Sequence, residues 1–484
     1  MKKLFGYILI GILILFVVMV FKTMSYTSKQ IKIDPVQLAP VDDAAIDRFS
    51  EGLQFQTVSK RDFVDTSAYE AYNRYLDATF ALADSVLNKT YINQYSRYYE
   101  WLGKNSALAP ILLIAHNDVV PVEAEVLDQW TEAPYSGLVK DGKIWGRGSL
   151  DDKNNVFSIL EAVESLIREG YQPERSIYLA FGHDEEIGGA NGASVMAKHF
   201  QDQGIQFEYV LDEGMMVLEG SVPGIEKPVG LIGIAEKGYL NLRLTANLQG
   251  GHSSMPLAET TIGVLGQAVA NIQNHPMPGR LEGPVAEMFQ YLGPEMSFPF
   301  KMVFANTWLT KGLLQQQLSN QPATNATLRT TSVPTIIHSG VKANVIPSEG
   351  YAIVNFRLKP GDTKEAVIEH IKKVVDDDRI TIIPNDEEYR AASKVSATDA
   401  FGFNTIQKTI REVFPDAIVS PALVVAGTDS RHYEIVADQI YRFMPVQAKL
   451  EDIRGIHGID EWISVENYKR SIQFYRQLIL NSSK

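Results

Sequence analysis

Three short strings constrain the fold of this chain more than any other feature: Ile111-Leu112-Leu113-Ile114-Ala115-His116-Asn117-Asp118, Gly146-Arg147-Gly148-Ser149-Leu150-Asp151-Asp152-Lys153 and Ala180-Phe181-Gly182-His183-Asp184-Glu185-Glu186. Each sets an imidazole or carboxylate just after an apolar run or at the mouth of a helix. An open α/β sheet builds its sites at those places, so the strings predict an α/β fold with metal-dependent hydrolytic chemistry at the strand ends.

The surrounding pattern agrees. Residues 111–115 are continuously apolar, as a strand buried on both faces requires. Val156, Ile159, Leu160, Val163, Leu166 and Ile167 follow the three-and-four spacing of a helix. A strand over 176–181, a helix over 193–200 and a strand over 207–211 continue the alternation, which predicts a mostly parallel sheet flanked by helices. Upstream, residues 42–56 and 67–87 read as helices, the second carrying a core-facing stripe of Tyr69, Tyr72, Leu76, Phe80 and Ala83.

Around Lys237 the period changes. Residues 239–248 alternate as a half-exposed strand does, and Gly250-Gly251-His252 leads to a helix over 261–272. Strands over 331–337, 351–358 and 380–383 and a helix over 363–375 complete an α+β layer, expected as an inserted lid. Between its parts, residues 276–329 are rich in Pro, Gly, Gln and Asn and show no period, so no element is assigned there. A helix over 405–413, an apolar run over 422–426 and a closing helix over 465–480 read as the return of the first unit. The expected division is 1–30 (cytoplasmic tip, anchor and start of a stalk), 31–238 (catalytic, first part), 239–390 (lid) and 391–484 (catalytic, second part).

At 484 residues two cores are expected. The net charge of −13 and the lack of a basic block argue against nucleic acid as a partner. With no cysteine, disulfides, thiolate metal sites and cysteine nucleophiles are all excluded, and any transition metal must be held by His, Asp and Glu. Residues 4–21 carry no charge and follow Lys2 and Lys3, long enough to cross a bilayer. No small-residue cleavage site follows, so an uncleaved anchor is expected, with a cytoplasmic N-terminus and the catalytic part outside the cytoplasm. Secretion after signal cleavage is the alternative.

A two-metal hydrolytic site needs ligands for each ion, a shared carboxylate and a free base. His116 ends a strand, and Asp118 can fix its tautomer. Asp151 opens a helix, and its two oxygens suit a bridge. Glu185 and Glu186 are adjacent, so one can bind metal while the other acts as base. Glu213, or its neighbour Asp212, closes the next strand, and His457 supplies a late imidazole.

These strings resemble peptidase family M20 metalloenzymes, in the branch of carboxypeptidase S and the secreted N-fatty-acyl amino acid synthase/hydrolase. The likeness runs from about residue 45 to the C-terminus through His116-Asn117-Asp118-Val119-Val120-Pro121, Trp145 to Lys153, Gly182 to Glu186, Leu211-Asp212-Glu213-Gly214, Gly251-His252-Ser253-Ser254, Asn344-Val345-Ile346-Pro347, Gly427-Thr428-Asp429-Ser430-Arg431 and Ile456-His457-Gly458. The resemblance implies a zinc-peptidase-like catalytic domain with a dimerisation-type lid and two zinc ions. It implies His116 and Glu213 on one zinc, Glu186 and His457 on the other, and Asp151 bridging. Glu185 would be general base, Asp118 the partner of His116 and His252 the oxyanion-stabilising group, often supplied across a dimer. Asn344 and Arg357 would line the substrate's carbonyl and carboxylate.

Taken singly, the residues have plainer readings: His116 as a satisfied core histidine, Asp151 as a helix cap, Glu185-Glu186 as a solvated loop, Arg357 as a surface ion pair. His183 is read as structural and Asp152 as a helix-start charge, while Asp429 and Arg431 are candidates for support. The joint pattern favours an amide or peptide hydrolase acting next to a free carboxylate, a carboxypeptidase or N-acyl-amino-acid amidohydrolase, with the reverse condensation open to the same site. A catalytically silent binding protein on the same fold is the alternative, although no ligand or base is missing. A zincin-type endopeptidase is excluded because the chain has no His-Glu-x-x-His string.

Overall fold

The computed structural model describes residues 2–61 and 63–483. Met1, Asp62 and Lys484, including the outermost residues of the divisions 1–30 and 391–484, lie outside the described residues. The apolar runs become strands of a ten-stranded sheet. Its path is Gln447–Ala448, Val217–Leu218, Val229–Glu236, Ile440–Arg442, Tyr209–Asp212, Ile111–His116, Ile177–Gly182, Ser96–Trp101 and Asn88–Ile92, with Ile418–Val424 paired to Val229–Glu236.

Side chains alternate across these strands and so feed two cores. Ile111, Leu113, Ile177, Leu179, Tyr209 and Leu211 pack with the helices Lys153–Arg168, Phe401–Val413 and Val465–Ser482. Leu112, Ile114, Tyr178, Ala180 and Val210 pack on the other face with Ala193–Asp202. Burial of both faces is why these strands read as unbroken apolar runs.

The sheet is mixed rather than mostly parallel. Its centre is parallel, with Ile111–His116 between Ile177–Gly182 and Tyr209–Asp212. Antiparallel pairs enter toward the flanks: Asn88–Ile92 and Ser96–Trp101 form a hairpin whose short turn dictates that direction, with Asn93 and Gln94 at φ +47° and +72°. Val229–Glu236 meets Ile440–Arg442 antiparallel. The single helix expected over 67–87 is two, Thr66–Thr79 and Ala81–Val86, because Phe80 leaves helical geometry between them while staying buried.

The second layer is an antiparallel sheet in the order Thr331–Ser339, Glu349–Leu358, Gly238–Asn247, Ile380–Pro384. Burial alternates along Gly238–Asn247 and Glu349–Leu358. The helices Thr261–Asn274 and Lys364–Val375 cover one face, and Leu242, Leu244, Leu265, Val354, Phe356 and Ile371 form a core of their own.

The stretch 276–329, patternless in sequence, holds four α-helices, Pro284–Leu292, Phe298–Ala305, Thr307–Ser319 and Pro322–Leu328, and the short 3₁₀ helix Gly293–Glu295. Proline misleads there, since Pro284 and Pro322 open helices, where the missing N–H costs nothing. Val285, Phe289, Phe304 and Leu314 pack with Val229, Leu231 and Ile418 of the large sheet, not with the core of the second layer. At the N-terminus, Lys2–Met24 is one apolar helix whose side chains are exposed over most of its length, long enough to cross a membrane.

Candidate metal centre

The carboxyl ends of three adjacent parallel strands converge. His116 is the last residue of Ile111–His116, Glu213 follows Tyr209–Asp212, and Glu185 and Glu186 lie in a short turn after Ile177–Gly182. Asp151 comes from the turn before Lys153–Arg168. Gly148 in that turn has φ +86°, and a Cβ there would meet Val119 Cγ1 at 2.8 Å, so the close approach requires glycine.

Asp151 sits between two groups. Its Oδ1 lies 3.0 Å from His116 Nε2, which is 3.3 Å from Glu213 Oε1. Its Oδ2 lies 3.0 Å from His457 Nε2, which is also 3.0 Å from Glu186 Oε2. Two triads, His116–Asp151–Glu213 and Asp151–Glu186–His457, therefore share one carboxylate. Glu213 faces His116. Asp212 instead accepts the backbone N–H groups of Ser430 and Glu213, each at 2.8 Å.

Burial raises the Glu213 carboxyl to about 8, with the charge of Asp151 adding to the effect. Burial likewise pushes Glu185 well above the carboxylate range, reinforced by Asp429, Glu213 and Glu186. Glu185 makes no side-chain hydrogen bond or ion pair among the described residues. For His457, the bonds to Asp151 and Glu186 raise the imidazole to about 10. Burial works against a charged His116, but its bonds to Asp118, Asp151 and Glu213 outweigh it and raise the pKa well above the usual value.

Asp118 organises the His116 side. His116 Nδ1 lies 3.0 Å from the Asp118 carbonyl and 3.3 Å from its Oδ1. The same carboxylate accepts the backbone N–H groups of Glu185 and Glu186, both at 3.1 Å, and the Ser59 hydroxyl at 2.6 Å. One buried aspartate thus holds the imidazole and both glutamates. Asp152 is more than a helix-start charge: it is buried, accepts the His116 N–H at 3.2 Å and accepts from the Asn155 amide at 2.6 Å.

His457 is held differently. It sits on an exposed loop at φ +57°, a backbone region that costs a non-glycine residue about 1 kcal/mol. Arg147 donates to the carbonyls of Gly455 and Gly458 on either side and pairs with Glu461 at 2.6 Å. Glu461 in turn accepts the N–H groups of Leu150 and Asp151 at 2.8 and 3.1 Å. The Arg147–Glu461 pair therefore ties the His457 loop to the Asp151 turn.

Behind the glutamate turn, Arg431 and His432 approach the Gly188 carbonyl at 3.1 and 3.0 Å. Gly189, at φ +67°, lies so close to Asp429 that a Cβ would fall 2.0 Å from its Oδ1. His183 bonds Ser96 Oγ at 2.6 Å, as a structural histidine does.

The three remaining candidates come from the segment 239–390. His252 is exposed in a two-residue strand paired with Val345–Ile346, and the Ser253 N–H donates to the Asn344 carbonyl at 3.2 Å, so His252 and Asn344 are neighbours. Arg357 has no carboxylate partner among the described residues and stacks 4.9 Å from the Tyr239 ring, unlike a surface ion pair. No hydrogen bond or ion pair among the described residues joins these three to the acid–imidazole cluster.

Ser59, Arg147 and Glu461 also support the cluster, without standing out in the sequence as candidates. Arg147 lies inside a quoted string, but Ser59 and Glu461 are remote from the residues they serve and carry no local signal.

The sequence pattern of peptidase family M20/M25/M40 matches residues 112–481. A probable carboxypeptidase S-like protein 2 of Dictyostelium discoideum is 42% identical over 443 residues, 90% of this chain and 85% of that protein. The N-fatty-acyl-amino acid synthase/hydrolase of Xenopus tropicalis is 40% identical, with the same shares covered. Among solved structures, an M20 family metallo-carboxypeptidase of Sulfolobus solfataricus superposes with a TM-score of 0.65 at 17% identity, covering 91% of this chain and all of that one.

Proposed function

The chain belongs to peptidase family M20/M25/M40, and we propose that this metal-dependent amide hydrolase uses two zinc ions to cleave amide bonds beside a free carboxylate. The observation that carries the reading is the pair of triads sharing Asp151. Several features fit a resident metal pair: the donors are all imidazole and carboxylate, Glu186 Oε1 is buried with no partner among the described residues, and four carboxylates crowd two imidazoles. We assign His116 and Glu213 to one ion, Glu186 and His457 to the other, and Asp151 to both. When bound, two zinc ions would polarise the scissile carbonyl and acidify water near neutral pH.

The chain's own groups supply the rest. Glu185, whose carboxylate makes no hydrogen bond among the described residues and is raised by burial, takes the proton of the attacking water and returns it to the leaving nitrogen. Asp118 fixes the His116 ring and the backbone that carries Glu185. On this reading the unit 239–390 is a lid: Arg357 holds the substrate's carboxylate with its planar fork, while Asn344 and His252 meet the reacting carbonyl. His252 would reach it by lid closure or from a second copy. A homodimer through the lid is supported by the edge strand Thr331–Ser339, which exposes Val333, Ile336 and Ile337.

The names of the relatives point to two substrate classes, small peptides and N-acyl amino acids, and the second would allow the reverse condensation. The helix Lys2–Met24 serves as an uncleaved anchor, with the catalytic part outside the cytoplasm. The test is a hydrolysis screen of both classes with detergent-solubilised protein and added zinc. Chelator-sensitive release of an amino acid is expected, and no turnover of either class would contradict the assignment.

A further inference from the structure

We propose that the helices Phe298–Ala305 and Thr307–Ser319 lie in the headgroup layer of the bilayer that Lys2–Met24 crosses, as a second lipid contact. The inference rests on reading Lys2–Met24 as a membrane span.

The pair is fastened where that span ends. Asn306, buried between the two helices, donates to the Met19 carbonyl at 3.2 Å and to Thr23 Oγ1 at 3.3 Å. Lys22 Nζ stands 5.2 Å from the Trp308 ring. Below it, Tyr26 donates to the Phe289 carbonyl at 2.6 Å, and Gln30 exchanges two 2.8 Å hydrogen bonds with the Val419 backbone. Met19 still belongs to the uncharged stretch, so the pair sits at the depth where hydrocarbon gives way to headgroups.

The surface offered there suits lipid. Phe298, Trp308 and Leu313 are 55%, 53% and 64% exposed, with Phe300 and Leu309 beside them, a concentration of large apolar groups that soluble surfaces seldom carry. Charge complements it: no acidic residue occurs between Glu295 and Glu349, whereas Lys301 and Lys311 flank the apolar groups, in a chain of net charge −13. Aromatic side chains with nearby lysines favour the membrane–water interface. With a single span the whole molecule can still tilt in the bilayer, and a second contact would set that tilt.

Because the chain has no cysteine, single nitroxide labels can be placed in the full-length protein. Leu13→Cys, Leu313→Cys and, as a water reference, Lys198→Cys would be labelled and reconstituted in phosphatidylcholine–phosphatidylglycerol vesicles. Collision rates with oxygen and with a water-soluble nickel chelate report immersion. At Leu313 oxygen collisions should exceed nickel collisions several-fold, at shallower depth than Leu13, with the order reversed at Lys198. Nickel-dominated collisions at Leu313 would overturn the proposal, as would protection from both reagents, which would mean that protein covers the face. Leu13 is read separately: an aqueous or missing Leu13 label would refute the anchor, while the Leu313 label still decides the lipid contact.

Discussion

The two halves of the acid–imidazole cluster are built on different supports. His116 ends a strand buried on both faces, and its side chain is 2% exposed, whereas His457 rides a loop and is 55% exposed. Strand register and Asp118 fix the first. The second depends on Arg147 and Glu461, which clamp its loop from beneath. Positions rooted in sheet ends are set by the core, while a loop-borne ligand needs dedicated polar supports, and the two should fail separately.

The largest expected effect falls between the halves. Glu185→Gln should keep both metals and lose on the order of 10²- to 10⁴-fold in kcat, because the base is gone and no ligand is. Substantial turnover by the metal-loaded variant would move the base elsewhere. Glu461→Gln sharpens the contrast directly. It leaves the buried Arg147 without its charged partner but keeps an oxygen for the Leu150 and Asp151 N–H groups, so metal affinity on the His457 side should fall on the order of 10- to 100-fold while the His116 side holds. Titration with a competing chelator checks this, and equal loss at both sites would erase the distinction.

Arg357→Ala should spare both metals and cost roughly 10- to 100-fold in kcat/KM for substrates with a free carboxylate, with little change for their amides. A variant that still prefers the acid would put the clamp elsewhere. The smallest effect on activity is expected from Ser59→Ala, which removes one of several donors to Asp118. Thermal unfolding should show a loss of about 1.5 kcal/mol or more, with metal content unchanged. An unchanged Tm would mean that the 2.6 Å bond adds nothing.

The same contrast explains what the sequence could disclose. Strand-end candidates are legible because a continuous apolar run followed by imidazole or carboxylate is a local pattern: His116 directly closes such a run, and the polar strings His183 to Glu186 and Asp212-Glu213 follow two others. Alternation likewise revealed the second layer, since burial there has period two. The strand directions at the sheet's flanks were not legible, because antiparallel pairing of Val229–Glu236 with Ile440–Arg442 joins segments some two hundred residues apart. Nor were the helices of 276–329, whose prolines open helices and whose exposed apolar faces blur the helical period. Glu461 and Ser59 act over long sequence separations and leave no local trace.

The most direct test of the shared-carboxylate centre is metal content per chain by plasma mass spectrometry after exhaustive dialysis, for wild type and Asp151→Ala side by side. Because Asp151 faces both imidazoles, close to two zinc ions per wild-type chain are expected, with loss of both and of all measurable activity in the variant. A fully active wild type with a single ion, or an Asp151→Ala protein that keeps two, would contradict the shared-carboxylate centre.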